Sequence, residues 1–322
     1  MHILQANRDN CVMRSGFCMR LATLLLAIAA IPSFAAISAK EFDTPDAAVS
    51  ALADAVRSSQ PRQLRFILGP GSGRLVHSGD AVEDSISRQK FVAAFDQAHS
   101  LVYQGDSLVE LQIGSAAWTF PIPLVKSSDA RWHFNTASGA AEILARRVGR
   151  NELSAIQVSL AIIDAEREYA QQHANPTGVG EYTRRLSSRS GTHDGLYWPS
   201  TQGEMPSPLG PLLAKAAVDG YVSAKPDKHV PYQGYYYKIL TAQGASAPGG
   251  AYDYVVNGKL IGGVAVMAYP ARHGASGVMS FMVDQNHIVY ERDLGPRSES
   301  AARETRLFNP DSSWKEVPAK SD

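Results

Sequence analysis

From Ala140 to Gln172 the chain reads as helix almost without interruption, with strand-like sequence on both sides. A helix of that length can close one packed unit and open another, so it governs how the rest of the chain is divided. Leu153, Ile156, Leu160 and Ile163 recur at helical spacing and predict its buried stripe, while Glu152, Asp164, Glu166 and Arg167 fall on the opposite, solvent side. The weak point is Gly149–Arg150–Asn151, where glycine lowers helix propensity and asparagine can recap the chain. The pattern predicts two helices parted there. The first closes an N-terminal unit, the second is the spine of a C-terminal one, and the two units are rigidly coupled.

A length of 322 residues favours two domains. Residues 1–35 read as a secretory signal peptide, with cleavage expected between Ala35 and Ala36. Arg14 and Arg20 precede the apolar run Leu21–Ile31, and Ser33 and Ala35 are the small residues such a site needs. The run is shorter than the roughly 20 residues that span a bilayer. Asp9 is out of character in such a leader, and Met13 offers an alternative start. Both cysteines, Cys11 and Cys18, lie inside it, which leaves the mature chain without thiol chemistry, cysteine-ligated zinc or disulfides. Burial of apolar surface must therefore hold it together.

Losing the leader removes Arg8, Arg14, Arg20 and Asp9 from 31 basic and 31 acidic residues, leaving 28 and 30. That balance, with no basic run, argues against nucleic acid or an anionic membrane surface as partner. The expectation is an exported protein, in the periplasm of a Gram-negative bacterium or secreted. It has no integral membrane segment once the leader is gone, no cofactor, and another envelope protein as its class of partner.

The predicted fold class is α+β. Residues 40–149 open with helices. Thr44–Pro45 start the first, Gln60–Pro61 a second that ends at Gly69, and Asp80 caps a third after a glycine-rich loop. Strands then follow at Leu108–Ile113, Trp118–Val125 and Arg131–Phe134, the middle one bent or at an edge because Pro121 and Pro123 lack ladder donors. Residues 150–295 read as a long helix, a loop from Ala174 to Met205, a short helix after Ser207–Pro208, and an antiparallel meander. Asn257–Gly258 predicts a hairpin, since a type I′ turn needs positive φ at both positions. Residues 296–322 read as a polar, extended tail.

Two groups of residues are candidate ligand contacts. His193, Asp194, Tyr197 and Trp198 stand together in the long loop, where rings could stack on a ligand and polar groups anchor it. The plainer reading is an Asp–Gly turn with both rings plugged onto the sheet. Trp118, Phe120 and Trp132, on neighbouring strands, could line a pocket in the first unit; the plainer reading is an aromatic core. No catalytic or metal site is predicted. No two histidines stand at the i, i+4 spacing of a helical zinc site, and no Gly-x-Ser-x-Gly elbow is present. His273 and His287 fall at turns, where solvation is the simpler reading.

Four stretches carry a family resemblance: Arg146–Arg147–Val148–Gly149–Arg150–Asn151–Glu152, His193–Asp194–Gly195–Leu196–Tyr197–Trp198–Pro199, the run Gly234–Tyr235–Tyr236–Tyr237–Lys238–Ile239–Leu240, and Gly277–Val278–Met279–Ser280–Phe281–Met282–Val283–Asp284. With them the chain resembles, from Phe42 almost to its end, the exported bacterial proteins grouped as domain of unknown function 2950, a family that implies no catalytic residues. The first half is also similar to nuclear-transport-factor-2-like domains, which implies a pocket between helix and sheet. The second is similar to pilin-like heads, although here the helix is internal and amphipathic.

Overall fold

The computed structural model describes residues 38–200, 203–221 and 230–318; the expected leader, with Cys11, Cys18 and the Ala35–Ala36 junction, lies outside them. Helix α1 (Pro45–Arg57) starts where Thr44 Oγ1 accepts the Ala47 N–H, and it buries Ala48, Val49, Leu52 and Val56. Helix α2 (Pro61–Leu68) stops at Gly69, whose φ of +74° favours glycine and whose N–H donates to the Arg65 carbonyl. The glycine-rich loop contains one helical turn, α3 (Gly73–Val76), before Asp80 caps α4 (Ala81–Gln97).

Strands β1 (His99–Gln104), β2 (Leu108–Ile113), β3 (Trp118–Thr119), β4 (Leu124–Lys126) and β5 (Trp132–Phe134) form an antiparallel sheet in the order β1-β2-β4-β5, with β3 also on β2. The predicted Trp118–Val125 strand is broken in two. β3 pairs with the far end of β2 and β4 with its near end, while Pro121 and Pro123 occupy the gap where no N–H can be offered. The edge strand β1 carries no sequence signal strong enough to predict it, because its residues are exposed or only half-buried. Val109, Leu111 and Ile113 on one face of β2 join Leu52, Ile67, Phe95 and Phe134 in the first core.

Helix α5 (Thr136–Gln172) is a single element of 37 residues, about 55 Å long at 1.5 Å per residue. The expected parting at Gly149–Arg150–Asn151 does not occur. Asn151 is not a cap, since it lies inside the unbroken helix, and its side-chain amide donates to the Ser276 carbonyl (2.9 Å). The predicted stripe holds at Ile163, which is buried, and at Ile156 and Leu160, which pack half-buried against the second core, but it fails at Leu153 and widens to include Glu166. Ala155, Val158, Ser159, Ile162, Ile163, Glu166 and Tyr169 are buried, whereas Leu153 is 57% exposed and Glu166, expected in solvent, is fully covered.

That sheet is a meander of β6 (Tyr235–Leu240), β11 (Ala265–Pro270), β12 (Met279–Asp284), β13 (Val289–Asp293) and β14 (Lys315–Glu316), each antiparallel to the next. Two ribbons interrupt it after β6: β7 (Ala242–Gln243) with β8 (Tyr252–Asp253), and β9 (Val255–Val256) with β10 (Lys259–Leu260). The latter turns at Asn257–Gly258 with φ of +51° and +81°, as the type I′ turn requires. All six residues of β11 are buried, and both α5 and α7 (Ser298–Glu304) pack against it. The short helix α6 (Gly210–Val218) leads toward β6.

Residues 296–318 are therefore not the loose polar tail predicted. Ala302 and Phe308 are buried in the second core, and Lys238 Nζ donates to the carbonyls of Ala302 (2.9 Å) and Thr305 (2.6 Å), closing the C-terminal end of α7. A handful of apolar anchors suffices to dock a segment that is polar on average. Among the described residues no helix is long and apolar enough to cross a membrane.

Candidate functional site

A seam of hydrogen bonds joins the two cores around the middle of α5. Arg147 donates to the carbonyls of Arg74 (2.9 Å) and Leu75 (2.8 Å) on the first side. Burial lowers its pKa, and the nearby Asp84 and Glu83 oppose that shift. One turn later Glu152 Oε1 accepts the N–H groups of Val278 (2.9 Å) and Met279 (3.0 Å) on the second side. Asp80 completes the seam. One carboxylate oxygen caps α4 by accepting from Val82 and Glu83, and the other accepts the Tyr221 hydroxyl and the Gly234 N–H, both at 2.8 Å. Three of the four family-like stretches meet here, so their shared role is to lock the halves together.

Under the first turns of α5, on the side of β2 away from the first core, lies an open cleft of about 330 Å³. Trp118 and Phe120 form its aromatic wall, with ring centroids 6.2 Å apart and edge to face. Trp118 is 40% exposed and Phe120 nearly buried. The proline gap between β3 and β4 opens the cleft, and α5 approaches it so closely that a Cβ on Gly139 would lie 2.0 Å from the Pro121 carbonyl oxygen. Across from Trp118, the Arg146 guanidinium sits 5.8 Å from the ring centroid and pairs with Glu142 at 2.5 Å, an i, i+4 pair on α5. Glu110, half-buried in the same wall, makes no side-chain hydrogen bond or ion pair among the described residues. Trp132, expected beside Trp118, is in the first core instead, where the chain preceding α1 pairs with it through mutual 2.8 Å bonds to Phe42.

The loop group sits elsewhere. The His193 ring stacks on Trp198 (4.4 Å), whose indole is buried in the second core and donates to the Met205 carbonyl. The Asp194 carboxylate accepts from the Thr192 hydroxyl (2.6 Å) and from the N–H (2.9 Å) and Nε (2.7 Å) of Arg189, which hold its pKa well below the usual carboxylate range. Gly195 is required by close approach, since a Cβ there would meet the Ser187–Ser188 backbone at 2.6 Å. Tyr197 is half-buried, its carbonyl accepting the Ser188 N–H. These four residues pin the loop onto the second core. The loop meets α5 at Tyr169, whose hydroxyl donates to the His193 carbonyl; that is about 35 Å along the helix from Arg146. The two predicted groups do not form one site.

Beneath the loop lies Glu166, which sequence placed in solvent. Its Oε2 accepts the Thr183 N–H (3.0 Å), and its Oε1 meets no donor among the described residues. Burial pushes its pKa up to about 8 against the opposing Thr183 bond. His273 and His287, read as solvated, instead contact the carboxylates of Asp293 (2.8 Å) and Asp164 (2.9 Å). Among the described residues no three His, Cys, Asp or Glu side chains gather as a metal site would require.

The fold is thus an α+β chain in which one long helix serves two cores and one cleft. The chain belongs to the family described as protein of unknown function (DUF2950), whose model matches residues 39–317. No curated protein and no solved structure matches it, so the likenesses of its halves to nuclear-transport-factor-2-like domains and pilin-like heads gain no support.

Proposed function

We propose that this protein is exported to the periplasm and acts there as a non-enzymatic binding module, holding another envelope protein at the Trp118 cleft. One observation carries the reading: an exposed tryptophan on β3 and an unengaged glutamate on β2 face the same open cleft, beneath a helix held in place by the seam. Aromatic rings with one exposed face are enriched at binding hot spots, because a partner buries a large area at small entropic cost. The basic leader with its short apolar run supports export.

Photo-crosslinking from position 119 in intact cells tests the reading. The expected result is a discrete envelope adduct that Trp118→Ala reduces at least about fivefold, as loss of a hot-spot ring implies. An adduct indifferent to Trp118, or none, would reject the cleft. Retention of the full chain in the cytoplasm after fractionation would reject export.

A further inference from the structure

Resting on the reading of this cleft as a binding site, we infer that it takes a cationic side chain, arginine or lysine, presented by a peptide segment of the partner, and that Arg146 occupies that position until the partner arrives. Two carboxylates, Glu110 and Glu142, and one guanidinium, Arg146, line the cleft, leaving an excess of negative charge. The guanidinium of Arg146 already shows the chemistry the cleft accommodates, with the Trp118 ring beneath the cation and Glu142 beside it. What Arg146 leaves unused is Glu110, which lies more than salt-bridge distance from it, since no ion pair joins them.

An incoming cation thus has more to gain than the resident one. The Arg146–Glu142 pair is half exposed on both sides, and such pairs are weak and screened by salt. Swinging Arg146 outward costs little, while the ligand inherits the tryptophan face and adds Glu110. An anionic ligand faces the reverse balance. It must compete with Glu142 for Arg146 while Glu110 repels it at close range. Arg146 is thereby both stand-in and competitor, and removing it separates the two roles.

The experiment is an NMR titration of the isotope-labelled mature chain, following the Trp118 indole N–H, assigned by its loss in Trp118→Phe. The probes are capped five-residue peptides with arginine, citrulline or glutamate at the centre of glycines. The other three tryptophan signals report that each variant is folded. The arginine peptide is expected to bind about tenfold more tightly than the citrulline one, Glu110→Gln to erase most of that preference, and Arg146→Ala to tighten binding severalfold. Equal binding of arginine and citrulline, or preference for glutamate, would overturn the cation assignment while leaving the cleft a binding site. Tighter binding absent in Arg146→Ala would overturn the competitor role. No shift with any peptide, in wild type or Arg146→Ala, would overturn the inference outright, and the cellular crosslink then decides the cleft independently.

Discussion

Asp80 and Glu166 are both buried carboxyl groups, one in the seam and one beneath the long loop, and the protein treats them in opposite ways. Asp80 has an N–H or hydroxyl for every direction it points: two helix-cap donors on one oxygen, Tyr221 and Gly234 on the other. Glu166 has a single donor, from Thr183, and an oxygen with none among the described residues. A buried charge is tolerated when hydrogen bonds replace its lost water, and is otherwise avoided by holding a proton. The seam is therefore built around a carboxyl group whose oxygens are all supplied with donors, and the loop is closed over an acid kept neutral.

Removing Asp80 should be the most damaging change. Asp80→Ala loses the cap of α4 and strands the Tyr221 hydroxyl and the Gly234 N–H, costing about 3–5 kcal/mol in denaturant unfolding. A cost under about 1 kcal/mol would mean that water replaces the carboxylate and the seam is not rigid. Glu166 should show itself through pH. It keeps its proton to about pH 8 in the folded chain but releases it near 4.5 when unfolded. Between those values the folded state binds more protons, so this stabilising term is complete below about pH 4.5 and is lost as pH rises toward 8. The slope approaches 1.4 kcal/mol per pH unit at most, roughly 3 kcal/mol across the neutral range. Glu166→Gln should flatten that part of the stability profile; a profile unchanged by the substitution would show that water reaches the carboxyl. The smallest effect belongs to the exposed Leu153. Leu153→Lys should change stability by no more than about 0.5 kcal/mol, and a larger loss would show that Leu153 packs as the rest of the predicted stripe does.

Both carboxyl groups are in plain view in the sequence, yet only half of one role is legible there. Asp80 can be read as a helix cap because capping acts over three residues. Its second pair of bonds reaches residues more than 140 positions away, and nothing local announces them. Glu166 misleads for the same reason. At the sequence level it falls with Glu152, Asp164 and Arg167 on a polar face, but Glu152 is tied to β12, and Arg167 donates to the Gln285 carbonyl just beyond that strand. A polar face can be an inner face when a sheet supplies backbone partners. The cleft was partly visible through Trp118 and Phe120, whereas Glu142 and Arg146 drew no reading as cleft residues and Glu110 looks like any outward residue of an alternating strand.

By itself the sequence determined the α+β class, the caps at Thr44 and Asp80, the stop at Gly69, the hairpin at Asn257–Gly258 and a disturbance of the strand at Pro121 and Pro123, though not its division in two. Each follows from sterics or hydrogen bonds within a few residues. The tertiary structure alone decided that α5 runs unbroken past Gly149. The cost of one helical glycine, about 1 kcal/mol, is set against bonds from Arg147, Asn151 and Glu152 to segments on both sides. It also decided which face of α5 is inner, why residues 296–318 pack, and where an open cleft remains. Those outcomes depend on which distant surfaces meet, and a helix cannot know its partner from its own periodicity.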